Sequence, residues 1–474
     1  MHRRYRPLLA AAAVAFASQA APLSAEVRLP ACFGDGMVLQ RDQPIPVWGW
    51  DAPGQKVTVR LGGAAAEATA DASGLWRLQL PARGAGGPHE MEVVGSSARK
   101  FVDALVGEVW LCSGQSNMEW TVRMSSYAEQ EIAAADFPQI RCLKVDHRPA
   151  KEPAADVPSS GWQACSPATA ADFTAVGYFF AREVHRELDV PVGILSSNWG
   201  GTRIEPWIPP VGFQQTPALS AIAEKLAESP AVDAEGNIDH QTPLALYNGM
   251  IHPLVPYALR GALWYQGESN NGEGMLYHEK MKALINGWRH AWGRPEMSFY
   301  FVQLAPFRYG RDPLDLPGIW EAQAATLAVP RTGMVVTTDI TTINDIHPPN
   351  KQDVGRRLAR WALARDYGQT DVATSGPMFR DMAVEDDRIR VHFRHAEGGL
   401  STRDGEAPSW FEIAGEDGKF VPATAVLEGD AAIVRADGVA APRHVRFGWN
   451  QVAEPNLINA AGLPASPFRT DAGQ

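Results

Sequence analysis

Along "KVTVRL" (residues 56–61) the apolar Val57, Val59 and Leu61 alternate with polar positions, and "LWRLQL" (75–80) repeats the pattern with Trp76, Leu78 and Leu80. Alternation at period two marks a half-buried strand, because successive side chains point to opposite faces. Turn-forming runs, Ala52-Pro53-Gly54 and Asp71-Ala72-Ser73-Gly74, separate such stretches, which predicts an N-terminal β-sandwich over 26–105. The same period returns in "RIRVHF" (Ile389, Val391, Phe393), "SWFEI" and "HVRFGW" (Val445, Phe447, Trp449), with "GEDG" as a hairpin turn. A C-terminal β-rich domain is expected over 371–474.

Between these regions the period lengthens. Phe180, Val184 and Leu188 share one helix face and lead into the strand-like "VPVGILSS". Met281, Leu284, Ile285 and Trp288 share another and lead into "SFYFVQL". A third face, Val354, Leu358 and Trp361, starts after His347-Pro348-Pro349 with Asn350 as its cap. Strands alternating with helices predict an α/β domain over 106–370, with a mostly parallel sheet covered on both faces. In such sheets ligands bind beyond the carboxyl ends of the strands. Residues 212–242 read as a polar insertion.

A chain of 474 residues exceeds what one core organises, and 45% hydrophobic with 20% charged residues excludes disorder. Arg3, Arg4 and Arg6 precede a short Leu/Ala/Val run that ends in the small residues Leu23-Ser24-Ala25, the pattern of a secretory signal peptide over 1–25. The run is too short and too interrupted, by Ser18 and Gln19, for a membrane anchor. Cleavage would leave a periplasmic or secreted protein. It would also remove three arginines and no acid from a chain already at net charge −11. Such acidity argues against nucleic acid and anionic lipid as partners. The four cysteines, Cys32, Cys112, Cys142 and Cys165, fit no zinc spacing. In an oxidising compartment Cys142 and Cys165 are the favoured pair, with buried free thiols as the alternative. Nothing in the chain sets an oligomeric state.

Four polar clusters each follow an apolar run: "GQSN" (114–117), "NWGGTRIEPW" (198–207), "QGESNN" (266–271) and "DIHPPNK" (345–351). On one rim of one sheet they supply a hydroxyl, an imidazole, carboxylates, glycine N–H groups and amides. Acyl transfer needs this set: a nucleophile, a base, an acid that orients the base, and donors for the oxyanion. Met118 stands where a G-x-S-x-G nucleophile elbow needs glycine, which disfavours an ordinary α/β-hydrolase. "HEKMK" has Lys282 where a zinc-protease motif needs histidine, and no metal or other cofactor is expected.

The blocks "GEVWLCSGQSNMEW", "LYNGMIHPLVPYALRGALWYQGESN" and "DIHPPNKQDVGRRLA" resemble the sialate O-acetylesterase family of the SGNH (GDSL-like) hydrolase superfamily, in order and over most of 106–366. The resemblance implies a flavodoxin-like three-layer α/β/α domain with flanking β-sandwich regions, acting without a cofactor on acetyl esters of carbohydrate. It assigns Ser116 as nucleophile, His347 as general base, and the N–H of Ser116 together with that of Gly201 or its neighbour Gly200 to the oxyanion hole. Gln266 takes the position at which the wider superfamily places an asparagine donor. For the orienting acid, Asp345 and Glu268 compete, with Asp339 a third choice, since Asn344 occupies the superfamily's usual aspartate position.

Arg203 is a candidate for binding the sugar, or else one half of a structural ion pair. Trp120 and Trp207 are candidates for stacking on a sugar face, or else for packing, and Asn248 for lining the site. The substrate is expected to be O-acetylated sialic acid or an acetylated plant hemicellulose such as xyloglucan or xylan. The alternatives are a carbohydrate-binding protein with an inactive hydrolase core, and an esterase or lipase of the same superfamily with another acyl group.

Overall fold

The computed structural model describes residues 26–226, 232–233 and 236–471. The leader read over 1–25, and part of the 212–242 insertion, lie outside them.

Apolar side chains from Val27 to Met378 form one core, and those from Ile389 to Phe468 form a second. The period-two stretches are strands, Lys56–Leu61 and Leu75–Leu80, and their apolar positions are the buried ones. The C-terminal core lies under an antiparallel seven-stranded sheet, with a further two-stranded sheet, Leu400–Thr402 and Leu457–Asn459. Within it "GEDG" connects the paired strands Phe411–Ala414 and Val421–Glu428. Among the described residues, no strand of 26–105 pairs with this C-terminal β-sandwich.

The middle of the chain supplies strands β1 (Ala98–Gly114), β2 (Phe137–Lys144), β3 (Trp162–Cys165), β4 (Val192–Asn198), β5 (Gly261–Tyr265), β6 (Ser298–Val302) and β7 (Thr332–Val335). Their order across the sheet is β7-β6-β5-β1-β4-β2-β3. All neighbours are parallel except β2 and β3. β4, β5 and β6 are buried at every position, as parallel strands covered on both faces must be. β1 runs through the 105/106 position, pairing early with Gly86–Val94 and late with β4 and β5.

The longer helices are α1 (Ala175–Leu188), α2 (Leu276–Ala291), α3 (Asp315–Ala325) and α4 (Lys351–Arg365). The apolar faces read from the sequence are the ones that pack. Met281, Leu284, Ile285 and Trp288 of α2 have no exposure, and Asn350 caps α4 by accepting the Asp353 N–H at 3.1 Å. Phe299 and Tyr300, adjacent on β6, face opposite ways: Phe299 meets Trp288 of α2, whereas Tyr300 meets Trp361 of α4.

From β1 the chain forms β2, β3 and β4 on one side of it and later returns to β5 on the other. That divergence opens a crevice at the carboxyl end of β1, where such sheets bind ligands. The expected cysteine pair is not formed: all four cysteines are buried free thiols, with Cys142 on β2 and Cys165 on β3. Among the described residues no helix is long and apolar enough to cross a membrane.

Candidate active site

β1 ends at Gly114, whose φ of 135° lies in the region that favours glycine. A Cβ there would stand 2.2 Å from the Tyr265 carbonyl oxygen, so β1 and β5 approach too closely for any side chain. Gln115 N–H donates to that same oxygen at 3.0 Å, and Ser116 then opens the short helix Ser116–Glu119. The first N–H groups of a helix have no acceptor within it. Among the described residues that of Ser116 has none elsewhere and is unpaired.

The loop that carries His347 comes from beyond β7 and brings Nε2 to 2.8 Å from Ser116 Oγ. Trp120 stacks on the imidazole, with ring centres 4.7 Å apart and planes 20° apart, while its Nε1 donates to the Met124 carbonyl at 2.7 Å. The indole, held by that bond, thus lies flat against the His347 imidazole.

Of the competing acids, Asp345 faces the histidine. Its Oδ1 accepts the His347 backbone N–H at 2.9 Å and lies 3.7 Å from ring Nδ1. That is ion-pair range rather than hydrogen-bond length, and contacts of this kind are commonly long in free enzymes and tighten during reaction. Glu268 instead accepts Asn117 Nδ2 at 2.6 Å, and its carboxyl is raised by burial. Both Asp339 oxygens are taken by Arg357, at 2.8 and 2.6 Å, which removes that candidate.

Burial, and then the Lys351 ammonium, hold His347 below its ordinary value, against the opposing pull of Asp345. A base must be neutral to accept a proton. Activity is therefore expected to rise with pH through a midpoint below the usual histidine value of about 6.5, a shift read from the acid limb of kcat/KM against pH.

The "GGT" loop after β4 closes the other side of the site. A Cβ on Gly200 would stand 3.3 Å from Ser116 Cβ. The Gly200 N–H is already committed to Glu119 Oε2 at 2.6 Å, whereas the Gly201 N–H has no acceptor among the described residues. Gly201 is thus the available donor of the two.

Gln266 corrects its expected role. It has no exposure, its Nε2 donates to the Thr202 carbonyl at 3.2 Å and to Asn270 Oδ1 at 2.7 Å, and Tyr277 OH donates to its Oε1 at 2.8 Å. Its amide braces the loops from beneath and has no N–H left for an oxyanion.

Three other candidates make structural contacts. Trp207 is fully buried against Trp264, with Nε1 on Thr202 Oγ1 at 3.1 Å. Asn248 is buried and holds the carbonyls of Ala150 and Lys151, tying two loops together. Arg203 pairs with Glu205 and Glu273, which in turn share Lys280. Arg203 and Asn248 line a neighbouring cavity of about 920 Å³, joined to the loop of Gly200 and Gly201 through Gln241, whose Nε2 donates to the Gly201 carbonyl at 2.9 Å.

The structure adds residues that the sequence reading passed over. Glu119 anchors Gly200 and takes His147 Nε2 on Oε1 at 2.9 Å. Burial opposes its ionisation, but His147 and the Gly200 N–H outweigh that and hold the carboxyl below its ordinary value. His147 and His240 both stack on Trp199, with ring centres at 4.1 and 4.8 Å. Asn117 and Lys351 lie behind the serine and histidine. Asn117, Glu119 and Lys351 all stand inside the quoted motifs, which was their one signal. His147 and His240 had none. Among the described residues no group of three or more His, Cys, Asp or Glu side chains is arranged to hold a metal ion.

Residues 106–364 match the family described as carbohydrate esterase, sialic acid-specific acetylesterase. The chain is similar to human sialate O-acetylesterase, 31% identical over 392 residues that cover 74% of this chain and 73% of that protein. The rat sialate O-acetylesterase is 31% identical over 401 residues, 72% of this chain and 74% of that protein. Among solved structures, a carbohydrate acetylesterase from Xanthomonas citri superposes with a TM-score of 0.87 at 42% identity, covering 94% of this chain and 100% of that one. A match of this extent, on a fold whose crevice holds Ser116 against His347, shows that the chain is an esterase and belongs to the sialate O-acetylesterase family of carbohydrate esterases.

Proposed function

We propose that this protein is an exported carbohydrate O-acetylesterase that works through an acetyl-serine on Ser116. The observation that carries the reading is the 2.8 Å contact between His347 Nε2 and Ser116 Oγ at the carboxyl edge of the sheet. His347 takes the Ser116 hydroxyl proton as Oγ attacks the acetyl carbonyl carbon. The Ser116 and Gly201 N–H groups hold the resulting oxyanion, and each donor of this kind lowers the barrier by about 2.7–4 kcal/mol. As the tetrahedral centre collapses, the sugar oxygen leaves with the proton from His347. Water, deprotonated by the same imidazole, then attacks the acetyl-serine and releases acetate. Asp345 orients the imidazole and stabilises its charged form.

In this reading residues 106–370 form a flavodoxin-like three-layer catalytic domain, flanked by β-domains over 26–105 and 371–474. The signal pattern over 1–25 supports export. Loops rich in Trp, Asn, Gln and Gly favour a small acyl group on a polar alcohol over a long apolar chain.

Acetate release by the purified mature protein, measured side by side on O-acetylated sialic acid, acetylated xyloglucan and acetylated xylan, tests the assignment. Release confined to sialic acid makes the enzyme a sialate deacetylase, and release from the polymers makes it a cell-wall deacetylase. No release from any of the three contradicts the reading.

A further inference from the structure

None of the steps above uses the polar groups directly behind Ser116 and His347. Lys351, the first residue of α4, has no exposure, and its Nζ donates to Asn117 Oδ1. The other end of that amide, Nδ2, donates to Glu268 Oε1 at 2.6 Å and to the Ile346 carbonyl at 3.0 Å. Asn117 follows the nucleophile in the chain, and Ile346 precedes the base. One side chain therefore bridges the two backbones that carry the reacting atoms, and a buried lysine holds it in place.

The surroundings mark this as a built arrangement. The Lys351 ammonium lies 5.2 Å from the Tyr265 ring centre and 5.8 Å from that of Trp120, the ring stacked on His347. Burying an ammonium costs several kcal/mol unless its surroundings compensate. Methionine or leucine would fill the same space without that cost.

We propose that Lys351 is a positioning residue for acyl transfer: through Asn117 it clamps the turn that carries Ser116 to the loop that carries His347. This rests on the Ser116–His347 reading of the site. The charge adds a second effect. The groups that face the Lys351 ammonium are the Glu268 and Asp345 carboxylates, the His347 imidazole, the Asn117 amide and the two rings. Burial brings Lys351 down to about 7, with Glu268 and Asp345 pulling the other way. Below that pH it is mostly charged. A cation beside an imidazole disfavours imidazolium, so the base stays neutral to lower pH than it would alone.

The test compares the mature protein with Lys351→Met and Ser116→Ala in hydrolysis of 4-nitrophenyl acetate across pH. Lys351→Met keeps the volume and removes the donor and the charge. Its kcat is expected to fall by roughly 10- to 100-fold, the scale of misplacing a reacting group by about an ångström. KM is expected to stay within about two-fold, and the acid limb of kcat/KM to move to higher pH. A lysine that serves only the fold would lower the melting temperature and leave the acid limb where it was.

Parental kcat, or an acid limb that does not move, overturns the proposal. If Lys351→Met does not fold, Asn117→Ala keeps both charges and cuts the bridge. A fall in its kcat with KM held supports the clamp, and parental kcat overturns it. An active Ser116→Ala would sink the serine reading itself. An inactive Ser116→Ala beside a fully active Lys351→Met would sink only the role of Lys351.

Discussion

Ser116→Ala is expected to lower kcat by about 10⁴- to 10⁶-fold while leaving the fold intact, with acetate release and circular dichroism as the paired measurements. The oxygen it removes is the atom that His347 Nε2 meets at 2.8 Å. No other hydroxyl contacts that nitrogen among the described residues, so nothing can take over as nucleophile. The stability cost is small because the residue is half-buried and its side-chain bond is to a half-buried histidine. His347→Ala is expected to be nearly as severe. The two losses should not add, because without its partner neither group carries out the proton transfer. The activity that remains would come from the unpaired Ser116 and Gly201 N–H groups, which survive both substitutions.

The second large effect is on folding. Gly114→Ala is expected to cost more than about 4 kcal/mol, or to abolish soluble protein, as read by chemical denaturation. Two causes act at once: a φ of 135° strains any side chain, and the new Cβ would stand 2.2 Å from the Tyr265 oxygen. That oxygen cannot withdraw without breaking the ladder in which Tyr265 pairs with Gly114, or the Gln115 bond that follows it. The contact explains why a glycine, rather than a larger small residue, precedes Gln115 and Ser116. The strand pair must close fully before the chain can turn the serine outward.

The sequence held the plan of the catalytic rim because that plan is local. Apolar runs became strands, each was followed by its polar loop, and the parallel order placed the loops together. The helix faces read from Phe180, Met281 and Val354 packed as their spacing required. Ser116 and His347 were legible through their motifs and meet at bonding distance. Asp345 was ambiguous in sequence, and the structure favours it because a short Asp-to-backbone bond two residues on folds its carboxylate toward the imidazole.

What the sequence did not show depends on partners distant in the chain. The amide of Gln266 is spent on Thr202 and Asn270, which no spacing around "QGESN" reveals. Arg203 is neutralised partly by its neighbour Glu205, a visible pairing, and partly by Glu273 from another loop. Trp120 and Trp207 look alike in sequence, yet one lies on the His347 imidazole and the other is sealed under Trp264. The continuous β1 was hidden because one strand serves two regions, so its apolar pattern changes where its partners change.

In the proposed mechanism Ser116, activated by His347, is the nucleophile. Treating the mature protein with a fluorophosphonate, then digesting it and locating the adduct by mass spectrometry, tests this most directly. One adduct is expected, on the Ser116 peptide, and it is lost in His347→Ala. An adduct on another residue, or none on a protein that still hydrolyses acetyl esters, would contradict it.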